Sequence, residues 1–224
     1  VIPVHFAGQC CDMEAITDIC CQRGFRIIED ASHALGSHWI DGEGVRQQVG
    51  NCSHSHMTIF SFHPVKNITT GEGGAVTTND EYLYERLLQF RTHGMYKNPD
   101  RFKNMDLAFD PHGDQNCWYY EMSELGFNYR ITDIQCALGS SQLKKNDRFV
   151  ERRRQIADRY DLAFQNSSFI HTPIEKIGIE HSYHLYPLLI DFKKLGKTRN
   201  QVMREMRERG LGTQVLYIPL HLQP

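Results

Sequence analysis

An α/β fold built on a mainly parallel sheet is what this chain of 224 residues predicts, and three observations predict it. From Val1 to about Ser61 short apolar strands alternate with helical patterns, the order expected of a parallel sheet covered by helices. Polar residues, Asp30 and Ser61, stand where two strands stop. Near Asp147 the alternation gives way to a long helical pattern, which marks a change of architecture.

Val1 to Phe6 reads as the first strand. Asp12 caps a helix with Ile16, Ile19 and Cys20 on one face, and Gly24 stops it. Phe25 to Glu29 is a strand that ends in Asp30. A Gly-rich turn spans Asp41 to Gly44, Met57 to Phe60 is the next strand, and Gly74 to Thr78 a further one. Asn79 or Asp80 then caps a helix carrying Leu83, Leu87 and Phe90. The Asn-, Asp- and Pro-rich stretch from Thr92 to Glu124 is long enough to suggest a functional loop. Capping boxes at Thr132-x-x-Gln135 and Thr198-x-x-Gln201 open two helices, one running to about Lys145 and the other to Gly210. Between them fall a helix from about Asp147 to Asn166 and a strand around Leu185 to Asp191. The expected domains are residues 1–146 and 147–224.

Composition narrows the function classes. A net charge of -2, from 25 Lys and Arg against 27 Asp and Glu, offers no electrostatic footprint for nucleic acid or an anionic membrane. The run Arg152-Arg153-Arg154 sits in a helical pattern and reads as a solvated face. Seven cysteines occur without C-x-x-C spacing, which favours reduced, buried thiols in a cytoplasmic protein. No stretch has the length of a membrane span. Val1, rather than Met, already lies in a strand, so the chain reads as part of a longer protein.

Four segments carry chemistry: Ile28 to Ala34, Ser61 to Asn67, Thr70 to Gly74 and Gly126 to Arg130. Ligands of open α/β sheets bind beyond the carboxyl ends of strands, where Asp30 and Ser61 stand. A carboxylate, a hydroxyl and the nearby Lys66 match the needs of pyridoxal 5'-phosphate (PLP). Its aldehyde is held as an imine by a lysine, its ring nitrogen kept protonated by a carboxylate, and its phosphate anchored by hydroxyls and N–H groups. A lysine freed from the aldehyde can then act as general base and acid.

These segments resemble the DegT/DnrJ/EryC1/StrS sugar-nucleotide aminotransferases, above all in SFHPVKNITTGEGG from Ser61 to Gly74. The resemblance implies the PLP-dependent transferase fold of type I, with the large domain followed by part of a small α+β C-terminal domain. It places the cofactor lysine at Lys66, the phosphate-binding serine at Ser61 and the ring-nitrogen partner at Asp30. His33 stands where the family often has Gln beside the ring hydroxyl. Asn128 is implied to reach the PLP phosphate of a partner across a two-fold interface, in a homodimer with shared sites. The loop from Arg91 to Trp118, then Tyr119 to Met122 and LGFNYRITDIQ, looks like the PseC branch. That branch implies transfer of an amino group from glutamate to a UDP-linked 4-keto-6-deoxy sugar in pseudaminic acid synthesis. His63, Tyr217 and His221 are candidate substrate contacts, although Leu216 stands where the family often has His. The family's phosphate loop and stacking aromatic would lie before Val1.

Blander readings stand beside each of these. A lysine without such neighbours is usually a surface charge, and Asp30 could simply cap a short helix that follows it. Gly71, Gly73 and Gly74 read chiefly as backbone devices for a tight return. His54 and His56 alternate on a presumed strand but lack a third ligand, so no metal site is expected. Trp118, Tyr119 and Tyr120 could face substrate or the base of their own loop. Competing functions are another keto-sugar aminotransferase, a dehydratase of the family, in which the lysine is typically His, or a non-catalytic protein of the same fold.

Overall fold

The computed structural model describes residues 1–224. Val1 to His5 runs alongside the first regular strand. Ile28 N–H donates to Val1 O at 3.0 Å, Asp30 N–H to Pro3 O at 2.8 Å, and His5 N–H to Asp30 O at 3.0 Å. Only Val4 pairs formally, in parallel with Asp30. Pro3 has no N–H for a ladder, and a 3-10 turn at Phe6–Gly8 ends the extended run sooner than predicted. Helix α1 (Met13–Arg23) follows. Asp12 accepts from Ala15 N–H, and Gly24 closes the helix at φ 68°. Met13 and Cys20 are buried and Ile16 partly so, but Ile19 is 60% exposed. The buried stripe therefore runs 13, 16, 20, at i, i+3 and i+7, and leaves Ile19 to one side.

Strand β1 (Ile28–Asp30) precedes a hairpin of β2 (His38–Ile40) and β3 (Arg46–Gln48). This hairpin is the Gly-rich turn of the sequence; Asp41 Oδ1 accepts from Glu43 and Val45 N–H, which shapes it. Strand β4 (Met57–Ser61) lies parallel to β1, and β5 (Gly74–Thr77) lies antiparallel to β4. His54 and His56 precede β4 rather than belonging to it. His54 meets Trp39 edge-on at 4.8 Å, while His56 Nδ1 accepts from Ile27 N–H, so they do not form the shared strand face expected. Helix α2 (Glu81–Arg91) is capped by Asp80.

Residues 92–124 form a small folded unit with β6 (Met95–Tyr96), α3 (Met105–Ala108) and β7 (Glu121–Met122), β6 pairing antiparallel with β7. Its core is Phe102, Ala108 and Tyr119, flanked by Tyr96 and Phe109. Helix α4 (Asp133–Leu143) opens with the predicted capping box. Helix α5 (Asn146–Phe164) is followed by β8 (Ile170–His171), β9 (Ile179–Glu180) and β10 (Leu189–Ile190). Strands β8 and β10 pair with each other, while β9 joins β2, so residues from both halves of the chain share one small sheet. Short α6 (Phe192–Leu195) and α7 (Arg199–Glu208), again with a capping box, complete the order.

The main core gathers Cys10, Met13, Cys20, Ile27, Ala31, Ala34, Trp39 and Val49. Beside it Glu29 is buried with its charge satisfied: His5 Nε2 lies 2.7 Å from Oε2, Thr58 donates to Oε1 at 2.9 Å, and Ser55 also donates there. The basic run on α5 is not uniformly solvated. Arg152 is exposed, but Arg153 donates to the carbonyls of Tyr183 and His184 at 3.0 and 3.1 Å, and Arg154 to that of His181 at 3.0 Å. All seven cysteines are free, and no helix is long and apolar enough to cross a membrane.

Candidate active site

Sheet register decides which predicted residues share a face. Asp30 pairs with Ile59 in the parallel β1–β4 ladder, and Ser61 lies two residues beyond Ile59. Paired residues point to the same side and side chains alternate along a strand, so Asp30 and Ser61 stand on one face at the carboxyl edge. Glu29, one residue earlier, points to the opposite side with His5. Asp30 Oδ1 accepts from Ser32 N–H at 3.0 Å, while Oδ2 takes no protein donor; turns follow Asp30 in place of the short helix it was expected to cap. Ser61 Oγ accepts only a long bond from His63 N–H, 3.4 Å.

Lys66 sits in the turn after β4, its N–H donating to His63 O at 2.9 Å. The side chain is half-buried. Burial lowers its pKa from the ordinary lysine value, and the nearby Asp30 carboxylate pulls it partly back up. Lys66 and Asp30 are therefore within Coulombic reach of each other. His33 feels both: burial first, then Lys66, lowers its pKa, and Asp30 opposes. Ala7 N–H donates to His33 Nδ1 at 3.3 Å, so the neutral ring carries its proton on Nε2.

The turn is fixed by its return path. Thr70 N–H and Thr69 Oγ1 both donate to Phe62 O, at 3.1 and 3.0 Å, and Gln135 on α4 donates to Glu72 O at 2.8 Å. Gly73 adopts φ +145°, and a Cβ there would lie 2.6 Å from Thr70 Oγ1. A Cβ on Gly74 would meet Phe60 O at 2.6 Å, so these glycines serve the close return of the backbone. Asn67 is buried and donates to Leu35 O at 3.0 Å; its Oδ1 has no partner.

Of the other predicted residues, His63 adjoins this cluster through its backbone, while Asn128, Tyr217 and His221 make no hydrogen bond to it. His63 is exposed, accepts from Val65 N–H at 3.3 Å and has Nε2 3.9 Å from Glu72. Asn128 bridges to Thr92 at the end of α2, exposed, with only Arg130 donating to its Oδ1 at 3.4 Å. Tyr217 and His221 stand on the exposed C-terminal segment and make no side-chain hydrogen bond. Tyr119 is buried in the base of its own loop, whereas Trp118 and Tyr120 are exposed. No group of three or more His, Cys, Asp or Glu side chains converges to hold a metal.

Sequence reasoning missed His184. It is buried, its ring lies 4.6 Å from that of His33, and its Nδ1 has no partner. Burial, then His33 and Lys66, push its pKa down to about 3. The one signal in the sequence is the run His181-Ser182-Tyr183-His184 just before a strand pattern.

Known proteins resemble this chain in sequence and fold. Spore coat polysaccharide biosynthesis protein SpsC of Bacillus subtilis is 37% identical over 225 residues, 100% of this chain and 54% of its own length. A UDP-4-amino-4,6-dideoxy-N-acetyl-beta-L-altrosamine transaminase of Campylobacter jejuni is 36% identical, across 97% of this chain and 51% of its own. Among solved structures, Helicobacter pylori PseC, an aminotransferase of pseudaminic acid biosynthesis, superposes with TM-score 0.83 at 32% identity, covering 99% of this chain and 53% of that one. Spr1654 of Streptococcus pneumoniae, assigned as a sugar aminotransferase and solved in its PLP form, gives TM-score 0.79 at 29% identity, covering 99% and 55%. The chain thus spans about half the length of the curated relatives it matches. With a family profile matching all of residues 1–224, the chain belongs to the DegT/DnrJ/EryC1/StrS aminotransferase family.

Proposed function

We propose that this chain is the lysine-bearing part of a PLP-dependent aminotransferase acting on a UDP-linked 4-keto-6-deoxy sugar, with glutamate as donor. The carrying observation is the shared sheet face of Asp30 and Ser61, with Lys66 held within Coulombic reach of that carboxylate. The residues present fit the cofactor. Asp30 Oδ2 takes no protein donor, the Ser61 hydroxyl has no protein acceptor and takes only the long 3.4 Å bond from His63 N–H, and the buried His184 Nδ1 beside His33 is unpartnered.

When bound, PLP supplies an electron sink through which an amino group can leave one carbon and join another. Lys66 Nζ is the group that holds the aldehyde, and burial keeps a larger share of it as free amine. Released, Nζ would be free to take a proton from the substrate carbon and return it. Asp30 would keep the ring nitrogen protonated, Ser61 would anchor the phosphate, and the Nε2–H of His33 would be a donor beside the ring hydroxyl. Asn128, outward-facing on its own chain, suits a reach to the phosphate of a second copy, so a homodimer with shared sites is part of the proposal. Residues 1–146 then belong to the cofactor-binding domain and 147–224 to part of the smaller one, with His63, Tyr217 and His221 toward substrate, in a cytoplasmic enzyme.

The pseudaminic acid assignment rests on the likeness to the Campylobacter and Helicobacter proteins, while SpsC is as similar. Feeding glutamate to the PLP-loaded full-length protein, and UDP-4-keto sugar to the protein carrying the cofactor in its amine form, tests the reading. Each half-reaction is expected to transfer the amino group; a protein that exchanges none in either is no aminotransferase.

A further inference from the structure

Position 33 is His, and a second imidazole lies beside it. The rings of His33 and His184 are 4.6 Å apart and tilted by 41°, and Phe6 approaches His33 at 5.9 Å. Backbone groups fix both. Ala7 N–H points at His33 Nδ1 at 3.3 Å, and Ser182 Oγ donates to the His33 carbonyl at 3.3 Å. Arg153, from α5, grips the carbonyls of Tyr183 and His184. His184 is only 7% exposed, and its Nδ1 has no hydrogen-bond partner. Such an orphaned buried nitrogen is costly, and functional sites are where that cost is commonly borne.

We propose that His184 is a positioning residue of the Lys66 site, which covers His33 and fixes it as an Nε2–H donor beside the lysine. The charged groups around the pair set the electrostatics. Lys66 and Asp30 face His33, while Lys66 and Arg153 face His184, so cations outnumber the one carboxylate. Protonating either imidazole would add a further positive charge next to Lys66, and the ring of His184 keeps water, the main stabiliser of that charge, off His33.

The consequence for catalysis rests on the PLP reading, but the test does not. In the full-length protein without ligand, isotope-labelled histidines are followed by NMR from pH 5 to 8, roughly the range in which imidazoles titrate, with His33→Gln identifying the resonance. His33 is expected as the Nε2–H tautomer, titrating below the ordinary value of about 6.5. His184→Ala should move that titration up toward 6.5, roughly the exposed value, while His184→Phe, which keeps the cover, should leave it low. An Nδ1–H tautomer in the unmodified protein overturns the proposal whether or not the variants fold. So does a titration that His184→Ala leaves unmoved, or that the Phe variant raises equally. Failure of Lys66 to take up PLP would instead sink the cofactor reading and leave these titrations as they are.

Discussion

Lys66 is subject to two opposed influences: burial lowers its pKa, and the Asp30 carboxylate holds it up. Removing that carboxylate should therefore lower the pKa further. In Asp30→Asn, the pH profile for acylation of Lys66 by an amine reagent is expected to shift to lower pH; a shift upward would show that the two groups do not sense each other. The same variant should weaken PLP retention by about tenfold or more, equivalent to one charge-assisted hydrogen bond of roughly 1.5–3 kcal/mol. The places of these residues in the fold were legible in the sequence because apolar runs locate strand ends: Asp30 and Ser61 close strands, and Lys66 follows in the next turn. His184 was not legible. It reaches His33 through the packing of a distant segment held by Arg153, and no local periodicity reports such a contact.

Among the elements, capped helices and the central strands followed from local rules, since Asp12, Asp80, Thr132 and Thr198 each supply the capping oxygen the sequence promised. The hairpin of β2 and β3 and the unit at residues 92–124 did not, because their strands are only two or three residues long. In that unit the backbones cross closely: a Cβ on Gly126 would fall 2.1 Å from Gly94 N. Gly126→Ala must displace the segment leading to Asn128, at a cost at or above the roughly 1–3 kcal/mol of overpacking. Hydrogen exchange should rise across residues 92–128 while α1 stays protected; unchanged exchange there would contradict the crossing. Glu121 organises the same unit, accepting from Lys103 and Asn104 N–H and from the Tyr96 and Tyr119 hydroxyls. These donors, Asn104 N–H and Tyr96 first, hold its carboxyl down at about 2. Glu121→Gln should raise proteolysis of the unit at neutral pH, and unaltered cleavage would show that the charge is dispensable.

For the whole molecule the buried imidazoles predict acid sensitivity. Burial lowers His33 and His38, and pushes His181 to about 4 and His184 to about 3, from an ordinary 6.5. Each takes up its proton more readily when unfolded, so the stability it contributes is present above pH 6.5 and is lost as pH falls toward the folded value. Each such group contributes a slope of up to about 1.4 kcal/mol per pH unit. Comparing unfolding free energies of the unmodified protein and His184→Phe between about pH 6.5 and 4.5 isolates one of them, since the shared contributions of His5, Glu29 and other groups cancel. The variant should lose less stability on acidification; an equal loss would mean that His184 takes up its proton as readily in the fold as in the unfolded chain. The α/β class and the parallel β1–β4 pair were readable from alternation, whereas the antiparallel β5 and the β9–β2 pairing were not, because register across loops depends on packing rather than on pattern.

Everything functional turns on whether Lys66 is the residue that bonds the cofactor. The full-length protein, incubated with PLP and reduced with borohydride, should carry a phosphopyridoxyl mass on the single peptide containing Lys66, and Lys66→Ala should carry none. A label on another lysine, or one that survives the alanine variant, would contradict the account.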